Sequence, residues 1–300
     1  MFRTLDEVIE KARSVKGKKA VLVGAEDREG LIALKTAAGE GVVEPILVGD
    51  KNKVDVLLDE FGLQCEVVDA KTPDEAAEKG VKLVRNGKAD ILMKGLVKTA
   101  ILLKAVLNKE WGLRSGSLLS HIAVLDVPAL DRLVYVSDGG MVIRPDLSQK
   151  KAIIENAVKF LHSLGYERPR VALLAAVEVV NPDMPETLEA AVIAKMAERG
   201  QLPACEVDGP LGLDNALNMT AAKIKKVKGN VAGLAELLIV PDIHSGNFLG
   251  KSAVYLAGGT IAGLVLGATA PVVIVSRADN AKSKLASLAL AVLSVAGDMK

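Results

Sequence analysis

Arg277 follows the β-branched run Val272–Val275, separated from it by Ser276 alone. An arginine at the end of an apolar strand presents a planar fork of donors that either holds a phosphate in bidentate fashion or forms a surface salt bridge. Earlier, Ser245-Gly246-Asn247 precedes a helical run. Small polar residues there leave backbone N–H groups open and the helix dipole favours an anion, so the turn is a phosphate cradle or a plain helix cap. The stretch Gly246-Asn-Phe-Leu-Gly250-Lys251-Ser252 looks like a nucleotide-binding P-loop, but three residues separate its glycines where that motif needs four. Nucleotide hydrolysis is therefore not expected. Asp242, His244 and Ser245 are close in sequence, and near neighbours seldom converge as nucleophile, base and orienter, so a hydrolytic triad is not expected either. His121, His162 and His244 show no helix-face metal spacing. The segment Gly24 to Gly30 lacks the glycine spacing of a dinucleotide fingerprint.

These residues need a frame to hold them. Short β-branched runs alternate with amphipathic segments of helical length, the pattern of a mostly parallel sheet with helices on both faces. The expected strands are Ala20–Val23, Pro45–Val48, Ile91–Lys94, Leu133–Val136, Val171–Ala175, Leu237–Val240 and Val272–Val275. Thr4 with Glu7, and Thr72 with Pro73 and Glu75, mark helix starts by placing a capping side chain three residues before an acid. Further helices are expected over Leu31–Gly39, Gln149–Leu164, Pro185–Glu198 and Asn280–Val295. Ser252–Ser276 carries no charge, but its glycines and Ala270-Pro271 read as a buried helix, a turn and a strand rather than a membrane span. The loops after strands collect the unusual residues: Lys94–Thr99, Ser137–Gly140, Pro241–Asn247 and Ser276–Asn280. In open parallel sheets that edge binds ligands.

Hydrophobic residues make up 50% of the 300-residue chain but aromatics only 3%, so stacking platforms for bases are nearly absent. A net charge of +1 gives no field that would gather nucleic acid or anionic lipid, and any anion site must be local. Cys65 and Cys205 are too few for a disulfide framework and read as small buried hydrophobes in a reducing compartment. The first residues lack the apolar core of a signal peptide. A cytoplasmic protein without nucleic-acid or membrane partners is expected.

Read together, the loops resemble the phosphate acetyl/butyryl-transferase family, most closely its phosphate butyryltransferase branch. The resemblance rests on Met93–Thr99, Ser120–Ala123, Ser137–Gly140 with Pro145-Asp146, Asn181–Thr187, Val207–Pro210, Asp214–Ala216, Pro241–Lys251, and Ser276–Asn280 with Ser283. It implies an α/β fold like the isocitrate/isopropylmalate dehydrogenases. Residues 1–116 and 263–300 would form one discontinuous domain and 117–262 a second, with the active-site cleft between them. It also implies a homo-oligomer that moves a short acyl group, butyryl or acetyl, between coenzyme A and inorganic phosphate by direct attack in a ternary complex. No tightly bound cofactor and no metal are expected, since coenzyme A is itself a substrate.

On this resemblance Arg277 holds the phosphoryl group and the developing negative charge, Ser276 hydrogen-bonds the reacting sulfur or oxyanion, and Asp279 takes the thiol proton. Acetyl-specific relatives carry their aspartate where this chain has Lys282 and Ser283, so Asp279 is either the base or a helix cap. Asp242, Ser245, Gly246 and Asn247 are substrate-binding candidates, and Lys94, Lys98 and Thr99 are secondary anion-binding ones. The rival readings are a metal- and NAD-dependent decarboxylating dehydrogenase, which predicts a cluster of acidic metal ligands, and a non-catalytic coenzyme A-binding protein on the same scaffold.

Overall fold

The computed structural model describes residues 2–275 and 280–297. The elements run α1 (Leu5–Arg13), β1 (Lys19–Val23), α2 (Arg28–Gly39), β2 (Glu44–Gly49), α3 (Lys51–Phe61), β3 (Glu66–Asp69), α4 (Pro73–Arg85), β4 (Ile91–Lys94) and α5 (Thr99–Val106). They continue with β5 (Ser120–Asp126), β6 (Val134–Ser137), α6 (Leu147–Ser163), β7 (Arg170–Leu174), α7 (Pro185–Glu198), β8 (Glu206–Leu211), α8 (Leu213–Leu217) and α9 (Met219–Ile224). Last come β9 (Leu237–Ile239), α10 (Ile243–Tyr255), β10 (Thr260–Leu266), β11 (Val272–Val273) and α11 (Ala281–Gly297). The chain divides into two compact units. Leu5–Ser117 and the chain from Ala262 onward form the amino-terminal unit, and Leu118–Ile261 form the bulk of the central unit.

In the amino-terminal unit the strand order is β3-β2-β1-β4-β11-β10. All neighbours are parallel except β10, which runs antiparallel to β11 through the pair Val265 and Val272. In the central unit the order is β5-β6-β9-β7-β8, and only β5 is antiparallel to its neighbour. The expected isocitrate/isopropylmalate dehydrogenase-like fold with a mostly parallel sheet is corrected by this arrangement, because both units carry a mixed sheet. The connections explain it: Val127 to Leu133 and Gly267 to Pro271 are too short for the crossover that parallel neighbours require.

Each strand expected from the sequence is present, although β11 stops at Val273. The buried helix expected in Ser252–Ser276 is instead the end of α10 followed by β10. α10 ends at Tyr255 with Leu256 as its cap, and Gly263 lies inside a strand, where its N–H donates to Ser287 Oγ at 3.0 Å. Besides β10, the strands β3, β5 and β8 are unforeseen: β5 is mostly buried, whereas β3 and β8 are sheet edges, where polar residues and Pro210 are tolerated because one side of the backbone needs no partner. The start at Thr72 has its cap: Thr72 Oγ1 accepts from Glu75 N at 3.2 Å, with Pro73 opening the helix. Among the described residues no helix is long and apolar enough to cross a membrane.

Candidate active site

At the carboxyl edge of the central unit's sheet, the loop after β6 meets the start of α10. Asp138 organises that loop from a buried position, 2% exposed. Its Oδ1 accepts from Gly140 N at 2.8 Å and Met141 N at 2.7 Å, while Oδ2 accepts from His121 N on β5 at 2.9 Å. Ser137 Oγ donates back to His121 O at 2.7 Å, so β5 and the loop are clasped from both sides. A Cβ on Gly140 would lie 2.9 Å from His121 Cγ, which places the ring of His121 against the loop backbone.

The first turn of α10 rests on this loop. A Cβ on Gly246 would lie 2.6 Å from Gly139 Cα, and one on Gly139 would lie 2.8 Å from the Gly246 carbonyl carbon. Both positions are therefore backbone-to-backbone contacts that only glycine allows. Gly246, Gly250 and Ala253 form the small, buried face of α10, and Ala253 joins a core with Leu125, Val136, Leu238 and Val240. Each helical glycine costs roughly 1 kcal/mol of helix propensity, which close packing offsets.

Asp242 caps α10, accepting from Ser245 N and Ser245 Oγ, each at 2.9 Å. The Ser245 N–H holds this carboxyl below its ordinary range against the opposing effect of burial, and the Ser245 hydroxyl and His244 add to the effect. Ser245, Gly246 and Asn247 thus lie within the helix's first turn rather than in a loop before it. The first backbone donors are engaged within the chain: Ile243 N bonds Ile143 O at 3.0 Å, and Gly246 N bonds Asp242 O at 3.2 Å. Asn247 is exposed, whereas Asp242 and Ser245 are half-buried and Gly246 is buried. Asp242→Ala should cost about 0.5–2 kcal/mol, measured by urea unfolding at neutral pH. Because the folded pKa is depressed, the wild-type advantage should be full above the unfolded value of about 4 and fade as pH falls through the folded one.

In the amino-terminal unit, Lys94 ends β4 and Lys98 and Thr99 open α5, both exposed. Lys94 Nζ donates to Gly95 O at 3.3 Å. Pairing of β1 and β4 continues past their ends, with Gly95 N on Val23 O at 2.8 Å and Leu96 N on Gly24 O at 2.7 Å. A Cβ on Gly95 would meet Gly24 O at 2.4 Å, so Lys94–Thr99 is seated against the loop after β1. These residues and the Asp242–Asn247 group belong to different units.

Ser276, Arg277 and Asp279 lie outside the described residues. Their neighbour Asn280 is described, and its Oδ1 accepts from Ser283 N at 2.8 Å. Asn280 thus fills the capping position of α11. Ser283 is buried, and its carbonyl accepts from Ser287 Oγ at 2.8 Å. Other stretches singled out in the sequence stabilise loops: Thr187 Oγ1 accepts from Asn181 N at 2.9 Å and donates to Met184 O at 2.7 Å. Cys205 is buried and Cys65 half-buried, and burial pushes both thiols up to about 11, so neither is a ready thiolate at neutral pH. Among the described residues no three His, Cys, Asp or Glu side chains gather as a metal site, so the acidic cluster that a dehydrogenase would show is not found there.

The family described as Phosphate acetyl/butaryl transferase matches residues 62–292. A probable phosphate butyryltransferase of Bacillus subtilis is 47% identical over 289 residues, covering 96% of this chain and 97% of that protein. A phosphate butyryltransferase of Clostridium acetobutylicum is 43% identical over 301 residues, covering 99% and 100%. Among solved structures, a branched-chain phosphotransacylase from Enterococcus faecalis superimposes with a TM-score of 0.85 at 33% identity, covering 93% of this chain and 99% of that one. A 4-hydroxythreonine-4-phosphate dehydrogenase from Klebsiella pneumoniae reaches only 0.60 at 14% identity, over 93% of this chain and 99% of that one. The architecture is therefore that of the phosphotransacylases, echoed only distantly by a dehydrogenase. By its match over most of its length and its full-length relatives, this chain belongs to the phosphate acetyl/butyryl-transferase family.

Proposed function

We propose that the chain transfers a short acyl group, butyryl in preference to acetyl, between coenzyme A and inorganic phosphate. The observation that carries this reading is the likeness to proteins named phosphate butyryltransferase over nearly their whole length. Transfer is direct. Coenzyme A sulfur attacks the carbonyl carbon of the acyl phosphate, a tetrahedral oxyanion forms, and the carbon–oxygen bond breaks to release phosphate. In the other direction a phosphate oxygen attacks the thioester carbonyl and the thiolate leaves. The chemistry requires alignment of two bound substrates, charge stabilisation and one proton acceptor.

Arg277 supplies the fork for the phosphoryl group and the developing charge, and Ser276 a hydrogen bond to sulfur or oxyanion. Asp279 takes the thiol proton. Lys94, Lys98 and Thr99 offer positive charge and a hydroxyl to anionic groups at the sheet edge of the amino-terminal unit. In the central unit Asn247 contacts substrate, while Asp242, Ser245 and Gly246 fix the helix start that carries it. Coenzyme A comes and goes as a substrate, in a cytoplasmic homo-oligomer where both cysteines stay reduced.

Rates with acetyl-, butyryl- and branched acyl-coenzyme A at saturating phosphate test the substrate. A pocket separates neighbouring chain lengths by about 1–3 kcal/mol per methylene, so butyryl should lead in kcat/KM by roughly tenfold or more. A lead for acetyl replaces butyryl transfer with acetyl transfer, and no turnover with any of the three ends the reading.

A further inference from the structure

Among the described residues the buried charged side chains are Asp138, Lys150, Glu236 and Lys284. Three of them are satisfied within the protein. Asp138 accepts the N–H groups described above, Lys150 is ion-paired with Glu189, and Glu236 accepts both the backbone N–H and the guanidinium of Arg170, at 2.8 and 3.0 Å. Lys284 is the exception. It is 2% exposed, and among the described residues no hydrogen bond reaches its ammonium. The nearest carboxylate, that of Glu29, stands 3.8 Å away on a side chain that is itself 59% exposed. A buried charge is costly unless it is paired and hydrogen-bonded, and a lysine without such a role ordinarily carries its ammonium out to water.

Position gives the arrangement a purpose. Lys284 lies in the first turn of α11, which packs against α2. Glu29 lies in the first turn of α2, just past the carboxyl end of β1. The ammonium therefore stands at the carboxyl edge of the amino-terminal unit's sheet, the edge that also carries Lys94–Thr99 and where ligands bind in open sheets. A polyatomic anion would supply acceptor atoms closer than the Glu29 carboxylate, with which the ammonium forms only a long ion pair. We infer that Lys284 binds a phosphate oxygen of one of the two substrates, an assignment that rests on the acyl-transfer reading above. The group is either inorganic phosphate, equivalently the phosphoryl end of the acyl phosphate, or a phosphate of coenzyme A.

The test uses Lys284→Met and Glu29→Gln in the full chain. Lys284→Met should be as stable as the wild type or more so, because replacing a buried charge with an apolar side chain of similar volume is often neutral or favourable. It should nevertheless raise the KM of one anionic substrate by about tenfold, the scale of one charge-assisted hydrogen bond. A rise confined to phosphate identifies inorganic phosphate as the group, and one confined to acyl-coenzyme A identifies the phosphates of coenzyme A. Glu29→Gln separates binding from a merely structural ion pair. Removing the competing carboxylate should leave that KM unchanged or lower it, whereas a Glu29→Gln variant with the same rise overturns the inference. So does a Lys284→Met enzyme with both KM values unchanged. If Lys284→Met does not fold, Lys284→Gln is read by the same two KM values, a rise in one supporting the inference and no change in either overturning it. Calorimetric titration of wild type and Lys284→Met with inorganic phosphate and with coenzyme A reads the site without turnover. A wild type that binds either ligand through Lys284 yet releases no thiol counts against the acyl-transfer reading and not against the lysine.

Discussion

Arg277→Ala is expected to lower kcat for acyl transfer by about 10²–10³, the effect of removing one preorganised donor from a developing oxyanion. The same change should raise the phosphate KM, because on the proposed mechanism one guanidinium serves both the bound phosphoryl group and the tetrahedral intermediate. Arg277→Lys should recover only part of the loss, since an ammonium keeps the charge but not the bidentate fork. Acyl-coenzyme A binding is the internal control, and its KM should change far less than that of phosphate. Circular dichroism and a thermal melt matching the wild type would separate lost chemistry from lost fold. Wild-type kcat and phosphate KM in Arg277→Ala would remove the residue from the mechanism.

Gly246→Ala comes next in expected size, and its reason is geometric. The added methyl would stand 2.6 Å from Gly139 Cα, 3.0 Å from Gly139 N and 3.0 Å from Val240 Cγ2. The first two are backbone atoms that cannot swing away, so α10 or the Ser137–Gly140 loop must move. Overpacking of this kind costs roughly 1–3 kcal/mol, against a gain of about 1 kcal/mol in helix propensity. Displacing the first turn of α10 also moves Asn247, and a shift on the order of 1 Å in a positioning element costs about 10²-fold in rate. Gly250→Ala on the same helix is the control. Its methyl would meet only the far end of a side chain, Ile261 Cδ1 at 3.2 Å, so the same propensity gain comes with far less strain. Melting temperature and kcat/KM measured on both variants decide the matter. A Gly246→Ala protein as stable and as active as Gly250→Ala would show that the glycine pair does not position the site.

Much of this architecture is legible in the sequence, and the illegible parts have identifiable causes. Strands buried among helices, such as Val21–Val23 and Ile91–Met93, announce themselves because both faces need apolar side chains. Edge strands β3 and β8 do not, because half-exposed backbones admit Glu66, Asp69, Asp208 and Pro210. In the site, the Ser137–Gly140 and Pro241–Lys251 stretches could be picked out by composition, but not that Gly139 touches Gly246, a contact between residues far apart in the chain. In sequence, the Ser245-Gly246-Asn247 turn fits a cradle and a cap equally. The structure engages the first backbone donors of α10 with Asp242 and Ile143, a disposition that depends on Ile143 being brought across from another loop. Lys284 left no sequence signal, since a lysine near the start of a helix reads as a solvated charge. Only the packing of α11 against its neighbours makes it conspicuous.

Free thiol released from butyryl-coenzyme A is the most direct measure of the central claim. Purified protein with butyryl-coenzyme A and inorganic phosphate should liberate coenzyme A and form butyryl phosphate in equal amounts, with no release when phosphate is omitted. No free coenzyme A from butyryl-, propionyl- or acetyl-coenzyme A in the presence of phosphate would contradict the account, as would release that proceeds equally well without phosphate.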